Sequence, residues 1–107
     1  MSHLTLIETN PIAEIPYVGF ERSELSKILS VYSRRVVEGI WRDYAIDQMP
    51  GRAVFSIFRN SREAPLFVIV KFGEDRWEIA SGMRTLVVAE SLVEALELFS
   101  RELRIVD

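Results

Sequence analysis

Two segments near the middle of the chain, Ala53-Val54-Phe55-Ser56-Ile57-Phe58 and Leu66-Phe67-Val68-Ile69-Val70, are apolar at nearly every position. A strand in a sheet with one wet face alternates apolar and polar side chains, because successive residues point to opposite faces. Unbroken apolar strands therefore need cover on both faces. Two arrangements supply it. Either one helix lies on each face, or both helices share a face and the other meets a second protein, often an identical one. An apolar face left bare would invite aggregation. We expect a homodimer of the second kind, with a two-sided monomer as the alternative. The candidate interface residues are Phe58, Phe67, Val68 and Val70.

The flanking sequence provides the helices. Leu25, Ile28, Leu29, Tyr32, Val36 and Ile40 recur at three- and four-residue spacing, which predicts an amphipathic helix over residues 22–40, with Gly39 as a natural end. Ser91 followed by Glu94 is a capping-box pattern. Leu92, Ala95, Leu96, Phe99 and Leu103 then form the apolar stripe of a last helix. Between the helices stand five strand-like segments, at 44–49, 52–59, 66–72, 76–80 and 84–89. Their connections are short, such as Pro50-Gly51, Gly73-Glu74-Asp75 and Ser81-Gly82-Met83. Parallel neighbours need crossovers of a dozen or more residues, so these are antiparallel. The expected fold is α+β: an antiparallel meander of four to five strands preceded by one amphipathic helix and followed by another. Residues 1–19 hold Pro11 and Pro16 without sustained periodicity and read as an extended arm, leaving residues 20–107 as a single domain.

The inventory of side chains sets most enzyme mechanisms aside. The 107 residues include no cysteine and a single histidine, His3, so thiolate and imidazole chemistry has almost nothing to work with. No glycine pattern marks a phosphate-binding loop. Lysine occurs only as Lys27 and Lys71, and the plain reading of Lys71 is a surface residue ending a strand. We therefore expect no cofactor and no metal. The absence of cysteine fits a reducing compartment. The longest aliphatic-aromatic run, residues 66–70, is far short of the roughly 20 residues that span a bilayer. Those features point to the cytoplasm and away from membranes.

Charge is unevenly distributed. Residues 20–62 carry eight basic and five acidic side chains, whereas residues 63–107 carry five basic and nine acidic. The net charge of −3 and the acidic start of the last helix, Ala89-Glu90-Ser91-Leu92-Val93-Glu94, speak against nucleic-acid binding. The arginine-rich stretch 52–62, with Arg52, Arg59 and Arg62, keeps a regulator that binds single strands as an alternative. The segment Trp41-Arg42-Asp43-Tyr44-Ala45-Ile46-Asp47 is the most distinctive. On a strand, Asp43, Ala45 and Asp47 share one face and Tyr44 and Ile46 the other. Paired carboxylates can serve acid–base chemistry across a cleft, which leaves a small enzyme with an Arg/Asp site as a further alternative. The plainer reading has Asp43 and Asp47 bonded to arginines such as Arg52 or Arg59.

The chain resembles a family of short bacterial proteins classed as a domain of unknown function. The matching elements are Phe20 with Glu24-Leu25, then residues 41–47 as quoted, Arg52-Ala53-Val54-Phe55-Ser56 with Phe58-Arg59, and Pro65-Leu66-Phe67 with Ile69 and Lys71. The departures are Val68 and Val70, where the family pattern is polar, and Gly73-Glu74-Asp75, where it carries a longer basic stretch. The resemblance implies no assigned activity. It marks Arg42, Asp43, Asp47, Arg52 and Arg59 as the candidate polar cluster, functional or structural. The expected role is a non-catalytic protein-interaction domain that self-associates.

Overall fold

The computed structural model describes residues 17–60, 63–73 and 75–106. Helix α1 spans Arg22–Val37; strands β1 to β5 span Asp43–Met49, Arg52–Phe58, Phe67–Lys71, Trp77–Ser81 and Arg84–Ala89; helix α2 spans Leu92–Val106. The strands form one antiparallel sheet in the order β1-β2-β3-β4-β5, the α+β meander that the turn spacing implies. Of the expected N-terminal arm, residues 1–16, His3 among them, lie outside the described residues, as do Arg62 and Glu74. Residues 17–19 have no regular secondary structure. Their carbonyls are held at one end of the sheet: Gln48 Nε2 donates to Val18 O at 3.0 Å and Lys71 Nζ to Gly19 O at 2.9 Å.

Each boundary has a local cause. Glu24 reaches back to accept the Glu21 N–H at 2.7 Å, which satisfies one orphan donor at the start of α1. The far end of α1 closes in a Schellman turn. Gly39, at φ +79°, donates to Val36 O, and Ile40 donates to Arg35 O. This stops the helix three residues short of the apolar stripe's last member. At the β1–β2 hairpin, Pro50 presets φ and Gly51 takes φ +74°. Ser91 Oγ accepts the Glu94 N–H at 3.2 Å, and its hydroxyl in turn lies 3.4 Å from Glu94 Oε1. We expect Ser91→Ala to lower the denaturation midpoint by the equivalent of about 1 kcal/mol, the usual worth of such a cap. An unchanged midpoint would mean that the cap contributes nothing.

Register fixes which residues share a face. Phe55 stands opposite Ile69, and Ile69 opposite Ile79, so Ala53, Phe55, Ile57, Phe67, Ile69, Trp77, Ile79, Val87 and Ala89 project together. Both helices pack on this one side. Tyr32 of α1 meets the rings of Phe55 and Tyr44, and Phe99 of α2 meets Trp41 and Phe67. The core they enclose is dry: Phe55, Ile57, Ile79, Ala95 and Phe99 are all fully buried. Phe67 therefore belongs to the helix-side core, apart from Phe58, Val68 and Val70, with which the sequence grouped it.

Candidate functional site

The opposite face of the sheet carries Ala45, Val54, Ser56, Phe58, Val68, Val70 and Ala80, all alternating out of register with the core residues. Ser56 is 7 % exposed; the other six are half-buried, and Val88 on the β5 edge is 63 % exposed. Neither helix lies across this face. Its charged residues sit at the margins except Glu78, which stands opposite Val70 on an inner strand. Asp43 and Asp47 follow β1, Arg52 starts β2, and Glu78 on β4 is bonded to Arg76, Nη2 to Oε2, at 2.6 Å. Arg76 in turn stacks over Phe72 with its guanidinium carbon 5.0 Å from the ring centroid.

Of the polar cluster named from the sequence, the structure brings some members together and separates others. Asp43 accepts the backbone N–H of Tyr44 at 2.8 Å, and no ion pair joins Asp43 or Asp47 to an arginine among the described residues. Arg52 and Arg59 lie at opposite ends of β2, roughly 20 Å apart at the usual strand rise, so they do not form one platform. Phe58 and Phe67, the aromatic partners such a platform needs, face opposite sides of the sheet. Arg42 and Arg59 do converge. The Arg42 N–H donates to Phe58 O at 2.9 Å where the β1–β2 ladder opens, and both side chains line a concavity of about 540 Å³. Its other walls are Gly39, Ile40, Asn60 and Glu63, and it contains neither aspartate. The Arg/Asp arrangement that an acid–base site needs is thus not assembled there.

Three polar features were not foreseen. Lys71 is no surface lysine: it is 5 % exposed, and its Nζ donates to Glu24 Oε1 at 2.8 Å while lying 5.7 Å from the centroid of the Trp77 ring. Arg35 is 4 % exposed, covers the Trp41 ring at 5.4 Å and donates to Phe99 O at 2.9 Å. Its Nε and the Trp41 Nε1 are both buried without a hydrogen-bond partner. A sequence signal for Arg35 did exist: it follows Ile28 and Tyr32 at helical spacing, on the buried stripe. Tyr32 also feels its surroundings. Burial first, then the Asp43 carboxylate and Tyr44, push its hydroxyl above the ordinary value of 10.0.

Among the described residues, no group of three or more His, Cys, Asp or Glu is placed to hold a metal ion. No described helix is long and apolar enough to cross a membrane. No curated protein and no solved structure gives a significant match to the chain. The segment that does match a known family runs from the anchored Val18 through α1 and the first four strands, and includes Arg42, Arg59 and the apolar rows of β2 and β3. Over residues 18–81 the chain matches, and belongs to, the family described as Protein of unknown function (DUF2794).

Proposed function

We propose that this chain is a non-catalytic interaction domain that self-associates, and that a second copy covers the open face of the sheet. The observation that carries the reading is the placement of both helices on one side of strands that are apolar on both. On the side away from the helices, Val54, Ser56, Val68, Val70 and Ala80 form an apolar patch, flanked by Asp47 opposite Val54 and Glu78 opposite Val70. Five strands about 4.8 Å apart and about 20 Å long give a flat footprint of roughly 480 Å². Side-chain relief raises the accessible area towards the ~600 Å² per partner of the smaller stable interfaces.

The charges at the margin favour an identical partner. A two-fold axis running across the strands stacks two such sheets with their strand ends reversed. Arg52, at one end of β2, then comes over the other copy's Asp43 end of β1, and valines meet at the middle. Opposite charges at the rim fix orientation more than they add affinity. The cysteine-free sequence suits a reducing compartment, and we place the domain in the cytoplasm.

Light scattering over a range of concentration tests the proposal. The expected result is a dimer at micromolar protein. Val70→Glu, which puts a charge at the centre of the face without touching the helix-side core, is expected to weaken association at least ~100-fold, since an unpaired buried carboxylate costs several kcal/mol. Met83→Glu, in the fully exposed β4–β5 turn and off the face, is the control and leaves the dimer intact. A wild-type chain that stays monomeric at near-millimolar concentration would sink the reading.

A further inference from the structure

The concavity at the end of the sheet supports an inference independent of self-association, because its arginines lie where the β1–β2 ladder opens and not on the open face. Arg42 and Arg59 both line it, and neither guanidinium has a carboxylate within ion-pair distance among the described residues. Arg42 and Arg59 each stand one residue beyond the Asp43–Phe58 pair that ends the β1–β2 ladder, and like charges brought to one concavity repel. Both are mounted on firm supports. The Schellman turn at Gly39 and Ile40 sends Trp41 into the core, 1 % exposed, and leaves Arg42 outside; the bond from the Arg42 N–H to Phe58 O ties it to the strand end that carries Arg59.

Two guanidinium forks lining one concavity suit the oxygens of a dianion, which accepts parallel charge-assisted bonds. The acidic residue of the same lining, Glu63, stands against a bare anion but suits a ligand that also carries hydroxyl groups, since a carboxylate accepts only. A volume of about 540 Å³ is larger than a phosphate needs and lies within the range of small-molecule sites. We propose that Arg42 and Arg59 bind the phosphate group of a small, hydroxyl-bearing phosphate monoester, with Glu63 accepting a hydrogen bond from one of its hydroxyls.

The test follows the arginine side-chain N–H and backbone amide resonances of the full chain during titration with inorganic phosphate and, separately, with glycerol phosphate. Saturable shifts are expected at Arg42, Arg59 and Gly39, with Arg84, exposed at the β4–β5 hairpin, as the unaffected control. Glycerol phosphate should bind about tenfold more tightly than phosphate, the worth of one added charge-assisted hydrogen bond. Arg42→Gln and Arg59→Gln should each weaken both ligands about tenfold or more without lowering the melting temperature of the free protein, because each also removes the repulsion. Glu63→Gln should abolish the preference for glycerol phosphate while keeping phosphate binding. Equal, non-saturating shifts at all arginines, Arg84 included, mean an adventitious ion only and overturn the proposal. A preference that survives Glu63→Gln overturns the hydroxyl assignment. A short single-stranded RNA that occupies the same residues more tightly than glycerol phosphate overturns the small-molecule one.

Discussion

Trp41→Ala is expected to cost about 3–5 kcal/mol, the range for deleting a fully buried large aromatic side chain, and so to remove a large share of a stability that for a domain of this size is about 5–15 kcal/mol. Trp41 is 1 % exposed and is the hub through which three elements meet. Its ring lies 6.0 Å from Tyr32 of α1, 5.1 Å from Phe99 of α2 and 6.1 Å from Phe67 of β3, with Arg35 stacked on it. Removing the indole leaves a cavity that none of these neighbours can fill without moving its own helix or strand. Trp41→Phe separates volume from hydrogen bonding. The indole N–H has no partner, so replacing it gives up no bond and relieves an unsatisfied donor. Trp41→Phe should therefore lose less than half of what Trp41→Ala loses. Urea denaturation with an unchanged m-value reads both. A loss below about 1 kcal/mol for Trp41→Ala would show that the two helices do not depend on this contact.

Glu24 and Lys71 should respond to substitution unequally. Lys71 Nζ is bonded to Glu24 Oε1 and to Gly19 O, and its side chain is 6 % exposed, against 18 % for Glu24. Glu24→Ala leaves the ammonium facing Trp77 with one carbonyl for company. We expect a loss of about 2–4 kcal/mol, at or below the usual range for an uncompensated buried charge because Glu24 itself keeps some contact with solvent. Lys71→Met, which has similar length and no charge, should cost clearly less than Glu24→Ala, because the carboxylate it strands keeps the Glu21 N–H and some contact with solvent. The double substitution should then regain most of what Glu24→Ala loses. Chemical denaturation of the four chains forms a thermodynamic cycle. A Lys71→Met chain as unstable as Glu24→Ala would mean that the solvent contact of Glu24 relieves nothing, and the argument from unequal burial would fail.

The face away from the helices and the core of this sheet differ by a single residue of alternation, which explains what could be misjudged. Phe58 and Phe67 are both large aromatics in apolar strands, yet Phe67 lines up with Ile69 and faces Phe99, while Phe58 lines up with Val54 and Ser56 and faces away. A signal did exist. Apart from Ala53 and Phe58 at the two ends of β2, the bulkier members of β2 and β3, Phe55, Ile57, Phe67 and Ile69, alternate with smaller ones, Val54, Ser56, Val68 and Val70, and the bulk fills the side on which the helices pack. Lys71 breaks that pattern, being polar and on the bulky side. Its charge argues for the surface, and only the arrival of Glu24 from α1 makes its burial tolerable.

Local rules carried in the chain determined the elements and their order: the three-and-four spacing of α1, Gly39 at its end, Ser91 at the head of α2, and turns too short for anything but antiparallel pairing. The same rules gave the alternation of Asp43, Ala45 and Asp47 against Tyr44 and Ile46. The tertiary structure alone decided that both helices settle on one side, that Arg42 and Arg59 line one concavity while Arg52 stays a strand's length away, and that Lys71 and Arg35 are buried. The reason is physical. Periodicity reports which residues share a face, but a sheet apolar on both sides gives a helix no local instruction about which to cover. That choice rests on the fit of whole side chains from distant parts of the sequence, and on charges finding partners that only the folded chain brings within reach.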